Sequence, residues 1–264
     1  MNTTKVMGIL NVTPDSFSDG GSYDLPDRAL AHAVEMQDAG ADWIDIGAES
    51  TRPGFLPLSV TKEWSRLENV LPLLLKTLVI PVSIDTYKAD IAARALELGV
   101  AMVNDVWGGL ADPNMFKVVA ESNALYVLMH NSTKEPFPGV DPVRKVREQL
   151  ERRIELALAA GMEERQIILD PGIGFGKTQP QNLMLINRLN ELKIPPFPLL
   201  IGPSRKSVIG HVLDLPVEER QEGTAAAVAV SIARGVDFIR VHDVRAMARV
   251  ARMADAIVGQ VVAQ

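Results

Sequence analysis

A closed (β/α)8 barrel, a TIM barrel forming a single domain over residues 1–264, is the fold the sequence predicts, and three observations carry that prediction. Eight short runs rich in Ile, Leu and Val read as strands. Stretches rich in Ala, Leu and charge, with helical apolar spacing, lie between them. Strand then helix, repeated, with strands apolar almost throughout, is the pattern of a parallel sheet covered by helices. The third observation is length: 264 residues with no Ser/Gly- or Pro-rich linker suit one barrel. A doubly wound open sheet is the competing architecture, and the strand count decides between them.

In chain order the strand candidates are VMGILNV near Val6, DWIDIG near Ile44, PVSIDT near Ile84, AMVNDV near Val103, LYVLMH near Val127, QIILDP near Ile168, PLLIGP near Leu200 and DFIRVHD near Ile239. The helical stretches between them include PDRALAHAVEMQDAG, VTKEWSRLENVLPLLLKTL, KADIAARALELG and PVRKVREQLERRIELALAAG. Gly40, Gly99, Gly161 and Gly235 close several of these, as expected where a helix ends in a left-handed residue.

Composition bounds the function. The chain is 47% hydrophobic and 23% charged, the profile of a globular protein with a large core. With no cysteine, it has neither a disulfide framework nor a thiolate nucleophile, and a reducing compartment is expected. The opening MNTTKVMGILNV lacks a signal peptide's long apolar run and cleavage site, and no stretch is long and apolar enough to span a bilayer, so the cytoplasm is expected and no membrane partner. A net charge of −6 without a basic run argues against a nucleic-acid partner. Any anion must be captured by a local cluster.

A polar residue recurs at the end of each strand: Asn11, Asp45, Asp85, Asn104, His130, Asp170, Ser204 and the pair Arg240 and His242. In a parallel barrel these ends meet on the one face that carries the chemistry, so scattered residues become a ring. Such a ring recognises both donors and anions. The stretch QIILDPGIGFGKT adds a puzzle, because it runs a carboxylate out of a greasy strand into a loop with three alternating glycines. The order matches neither the phosphate-binding G-x-x-x-x-G-K-[ST] loop nor the dinucleotide G-x-G-x-x-G fingerprint.

Taken in order, MGILNVTPDSFSDGG, GAESTRPG, SIDT, NDV, LMH, LDPGIGFGK, SRKS and RVHDV resemble the dihydropteroate synthases, from about Val6 to about Val244. The resemblance implies an enzyme that joins p-aminobenzoate to a hydroxymethyl-dihydropterin diphosphate, in a pocket deep in a barrel mouth. It implies that Asp85, Asn104 and Asp170 receive the pterin. That suits a 2-amino-4-oxo ring, whose N–H groups a carboxylate accepts as a pair, while an asparagine both donates and accepts. By the same resemblance, Phe175 walls the aminobenzoate ring, Lys206 reaches both ligands, Ser204 is a polar contact, and Thr51, Arg52, Arg240 and His242 contact the diphosphate and aminobenzoate. Guanidinium forks with an imidazole suit a diphosphate. Asn11 matches a magnesium-contacting asparagine, so Mg2+ is the cofactor implied, with diphosphate oxygens and waters completing its shell.

Arg205 reads as structural, and Asp15 as an ordering residue of the first loop. Pro203, Ile173 and the segment after His130 depart from the family pattern on the aminobenzoate side. The mechanism implied is loss of diphosphate before attack by the amine, with electrostatic help as its largest component and Asp85 supporting the developing cation. Two other readings stand beside it: a methyltetrahydrofolate-binding methyltransferase domain, and a pterin-binding regulator without turnover. The small and apolar residues of RQEGTAAAVAVSIARG and VRAMARVARMADAIVGQVV, with the resemblance, point to a homodimer through the C-terminal helices.

Overall fold

The computed structural model describes residues 3–13, 25–49, 56–132 and 139–262. Its strands are β1 (Lys5–Asn11), β2 (Trp43–Gly47), β3 (Val82–Asp85), β4 (Met102–Asp105), β5 (Leu125–Met129), β6 (Ile167–Asp170), β7 (Leu200–Ile201) and β8 (Phe238–Val241). All eight sit where the apolar runs predict them. They pair in parallel, in the order β6-β5-β4-β3-β2-β1-β8-β7. A parallel bridge between Leu169 and Leu199 joins the two ends, with Leu169 N donating to the Pro198 carbonyl at 2.9 Å, so the sheet curls into a barrel.

The helices are α1 (Leu25–Asp38), α2 (Val60–Leu67), α3 (Leu71–Thr77), α4 (Ala89–Glu97), α5 (Met115–Ala120), α6 (Pro142–Ala159), α7 (Gln179–Asn187), α8 (Ser207–Leu213), α9 (Gln221–Ala233) and α10 (Val244–Val262). Their starts follow from local chemistry. Ser59 caps α2, Asp141 caps α6 ahead of Pro142, and Thr178 with Gln181 forms a reciprocal capping box on α7, each satisfying amides that the first turn leaves unpaired. Gly40, Gly99, Gly161 and Gly235 have φ values of 101°, 103°, 98° and 87°, the left-handed ends expected of them. One expectation changes in detail. The stretch read as a single helix after β2 is two, because Pro72 at the start of α3 cannot extend the preceding turn. Among the described residues no helix is long and apolar enough to cross a membrane.

Two apolar regions hold the barrel. Outside the sheet, the alternate side chains Val6, Leu10, Ile44, Ile46, Ile84, Leu128, Leu169 and Ile239 pack against the helices. Inside, Met7, Met102, Val127, Ile168 and Leu200 form a compact plug, with Trp43, Leu125 and Phe238 against it. Burying such side chains contributes roughly 1.5–3 kcal/mol each. The plug also fills the lower barrel, so any hollow must lie above it, at the carboxyl ends of the strands.

Candidate active site

Side chains alternate across a strand, so the inward residues above the plug lie two positions further along. Trp43 leads to Asp45, Ser83 to Asp85, Met102 to Asn104, Ile168 to Asp170 and Phe238 to Arg240. A polar layer therefore rests on an apolar one. Asp45 Oδ2 accepts from Asn104 Nδ2 at 2.8 Å and from Arg240 Nε at 2.6 Å. Arg240 Nη2 donates to Asp85 Oδ2 at 2.6 Å. One guanidinium thus ties β8 to β2 and β3 across the hollow. These bonds use two of its five N–H groups. Among the described residues, Asp45 Oδ1 is buried without a hydrogen-bond partner, the kind of unsatisfied acceptor that marks a site under functional constraint.

Asp170 ends β6 and turns one oxygen onto its own loop, where Oδ1 accepts from Gly172 N at 2.7 Å. That turn works because Gly172, Gly174 and Gly176 all adopt left-handed φ values, 67°, 84° and 61°. A Cβ on Gly172 would stand 1.9 Å from the His130 carbonyl oxygen, and one on Gly176 2.1 Å from that of Ser132. The alternating glycines thus let the loop lie flat against the end of β5. The loop brings Phe175 beneath Lys206, whose Nζ lies 4.6 Å from the ring centroid and donates to the Ile173 carbonyl at 2.5 Å.

The charges are mutually dependent. Burial pushes the Asp85 carboxyl up, against the pull of Arg240, with Asp45 adding to the rise. Burial likewise raises Asp170, opposed first by Lys206. Enclosure brings Lys206 down to about 8, with Asp170 resisting and Arg240 assisting. Three carboxylates and two cations so close in a low-dielectric hollow suit a ligand that supplies both donors and negative charge.

Of the residues singled out from sequence, Asp85, Asn104, Asp170, Lys206 and Arg240 come together. Ser204 and His242 pair beside them: Ser204 Oγ accepts from His242 N at 3.2 Å and lies 3.0 Å from its Nδ1. Asn11 ends β1 on the same rim, partly exposed and in register with Gly47. Thr51, Arg52 and Asp15 lie outside the described residues. Arg205 is structural as read: its backbone is left-handed (φ 57°), and its guanidinium grips Asp243 at 3.0 and 2.5 Å.

His130 departs from the strand-end ring. On β5 the inward residues are Leu125, Val127 and Met129, so His130 falls on the other face, fully buried, with Nε2 2.7 Å from Gln149 Oε1 of α6. Burial drives it down to about 3, with Lys177 and Arg153 adding to the fall, and it stays neutral.

Three groups carry more than the sequence reading allots them. Asp45 was placed in the ring without a role, and it orients both Asn104 and Arg240. Lys177 was noted only as part of a motif, and it donates to loop carbonyls. Glu49, after β2, accepts from Leu58 N at 2.8 Å, Tyr87 Oη at 2.6 Å and Lys88 Nζ at 2.6 Å, and Lys88 also pairs with the buried Glu63. For Asp45 the available signal was parity with Asp85 on the neighbouring strand.

A barrel mouth floored by carboxylates and an asparagine, with a buried guanidinium and a lysine over an aromatic ring, defines an enzyme site for a flat, donor-edged heterocycle carrying an anionic group. A family model described as pterin binding enzyme matches residues 7–242. The dihydropteroate synthase of Bacillus subtilis (strain 168) is 49% identical over 257 residues, covering 97% of this chain and 90% of the relative. A dihydropteroate synthase from Clostridium difficile, solved in the presence of pteroic acid, superposes with a TM-score of 0.93 at 49% identity, covering 97% of each chain. One from Xanthomonas albilineans, solved with 4-aminobenzoic acid, gives 0.92 at 38% identity, covering 97% of this chain and 93% of that one. The chain belongs to the pterin binding enzymes and, among them, to the dihydropteroate synthase family.

Proposed function

We propose that this chain condenses p-aminobenzoate with 6-hydroxymethyl-7,8-dihydropterin diphosphate, giving 7,8-dihydropteroate and diphosphate. The observation that carries the reading is the polar layer itself: Asp85, Asn104 and Asp170 lie on one buried floor, bounded by Arg240 and Lys206. The pterin's amino and ring N–H groups meet carboxylate oxygens there, and Asn104 reads the edge where donor and acceptor alternate. Asp45 keeps Asn104 and Arg240 in register for that contact.

The carbon–oxygen bond to diphosphate breaks with its electron pair leaving on the diphosphate, the amine nitrogen bonds to the pterin methylene carbon, and that nitrogen gives up one proton to diphosphate or water. Departure precedes attack: the electron-rich pterin stabilises a developing cation, and the carboxylate of Asp85 supports it. Arg240 and His242, with Arg52 and Thr51, gather the departing charge, and Ser204 orients His242. Phe175 and Lys206 flank the incoming aminobenzoate. No three or more His, Cys, Asp or Glu side chains gather as a metal cage among the described residues. The amide oxygen of Asn11, partly exposed at the end of β1 on the rim, suits a magnesium ion that would share its shell with water and diphosphate, since Mg2+ sheds few waters. When bound, the ion supplies charge neutralisation to the leaving diphosphate.

The test is direct. Purified protein given dihydropterin diphosphate, p-aminobenzoate and Mg2+ should form dihydropteroate and diphosphate in equal amounts, and a chelator should suppress both. Pterin binding without product would favour the regulator instead, and turnover unaffected by chelation would remove the magnesium.

Lys206 adds a pH signature. It loses its charge as pH rises through about 8, so kcat/KM, which reports the free enzyme, should fall along an alkaline limb there. Lys206→Arg keeps the charge at every accessible pH and should flatten the limb at a lower plateau. A limb unchanged in that variant would assign it to another group.

We infer also that the chain pairs with a second copy through its last helices. Leu183 of α7, Val212 and Leu213 of α8, Val230 of α9, and Met253 and Ile257 of α10 are exposed on elements that adjoin one another, an apolar surface beyond what one barrel needs. Sedimentation should give twice the chain mass of 28.7 kDa, and a single-chain mass at micromolar concentration would contradict it.

A further inference from the structure

The glycine loop after β6 is held from within by a lysine that the reaction does not obviously need. Lys177 Nζ donates to the carbonyls of Gly172 at 2.8 Å and Phe175 at 2.9 Å, and reaches that of His130, at the end of β5, at 3.4 Å. An ammonium group has three donors, and three carbonyls receive them. Among the described residues Lys177 forms no salt bridge, and the charges that act on it most are those of Asp170, Lys206 and Arg153. Enclosure brings it down to about 7, the cost of keeping an ammonium group where only carbonyls face it.

The loop backbone explains why a cation sits there. Left-handed turns at Gly172, Gly174 and Gly176 rotate successive peptides so that the carbonyls of Gly172 and Phe175 face inward onto Lys177, while that of Ile173 faces Lys206. Carbonyls converging in a dry pocket repel one another unless a donor lies between them. Asn182 of α7 secures the outer side, accepting from Gly174 N at 2.8 Å and donating to the carbonyls of Lys177 and Thr178 at 3.3 and 2.9 Å. Among the described residues, Lys177 is the loop side chain that hydrogen-bonds across to the end of β5.

We propose that Lys177 is a positioning residue for the acceptor side of the reaction: by collecting the carbonyls of Gly172, Phe175 and His130 it sets the Phe175 ring and the Ile173 carbonyl, and through them Lys206. The inference rests on the reading that Phe175 and Lys206 flank the aminobenzoate. Lys177 itself touches neither ligand. Loss of its ammonium group leaves the Phe175 carbonyl without its donor and the loop held there by the Phe175 N–H to the Gly172 carbonyl at 3.1 Å, while the pterin floor on β3, β4 and β6 is built from strands and keeps its shape.

The test separates acceptor from donor. Turnover of the unaltered protein is established first, so failure of the parent reading shows there as absence of product. Lys177→Met, similar in length but without donors, should raise the KM for p-aminobenzoate at least about tenfold, a change of roughly 1.4 kcal/mol. The Kd for the pterin diphosphate, measured by calorimetry without amine, should stay within about threefold. Lys177→Arg should recover part of the loss. In a Phe175→Ala background the methionine change should add little, because the ring it positions is gone. Equal losses for both ligands, an unchanged KM with product forming, or full additivity with Phe175→Ala would each overturn the proposal. Should the methionine variant not fold, Lys177→Gln, whose shorter stem and two amide donors cannot collect all three carbonyls, carries the same measurements.

Discussion

Arg240→Met should lower the stability of the folded chain by about 3–5 kcal/mol and abolish turnover, because the change leaves two buried carboxylates without their shared cation. Against a total of roughly 5–15 kcal/mol for an ordinary domain, that is a large share. The loss should depend on pH with a definite sign. In the variant the strongest pull against the burial that raises Asp85 is gone, so its folded-state value lies further above that of the unfolded chain. A carboxyl raised in this way contributes stability that is full at low pH and is lost as pH rises through the folded value. Chemical denaturation should therefore find the variant closer to the native protein at pH 5 than at pH 8. Arg240→Lys should restore little, since a point charge cannot span Asp45 and Asp85 with two parallel donors. An equal loss at both pH values would mean that the carboxylates do not bear the cost.

Asp170→Asn should have the opposite balance, with folding nearly intact and pterin capture lost. The amide oxygen can still accept from Gly172 N, which keeps the loop turned. Its NH2 then points into the hollow, where the carboxylate had offered an acceptor, and donor meets donor. Losing one side of a buried charged hydrogen bond costs about 2–5 kcal/mol, roughly 30-fold to several-thousand-fold in affinity. Lys206 also loses the carboxylate that most opposes its deprotonation, so its pKa should fall below about 8 and the alkaline limb of kcat/KM should move to lower pH. Calorimetry with the pterin diphosphate, beside a thermal melt, reads both effects. Undiminished pterin binding would remove Asp170 from its role.

The architecture was legible because each strand is a short apolar run closed by a polar residue, and parallel pairing leaves those ends only one face to share. Where the reading went astray, the cause was parity. His130 follows its strand as Asp170 ends its own, yet one position's difference sends it outward against α6. Asp45, inside β2 and not at its tip, falls on the inward face by the same rule and proves to be a hub of the polar layer. Pairwise partners were beyond the pattern: sequence pointed to Arg240 for an anion, and did not show that two carboxylates also fix its guanidinium low in the mouth. Lys177 was hidden for a related reason, since its partners are backbone carbonyls, which every residue has.

The most direct test of the account is a crystal structure of this chain with a 6-hydroxymethylpterin phosphate bound. It should show the ring's donor edge within hydrogen-bonding distance of Asp85, Asn104 and Asp170, and the phosphate directed up the mouth toward His242. A ring bound elsewhere, or inverted so that its phosphate faces those carboxylates, would contradict it.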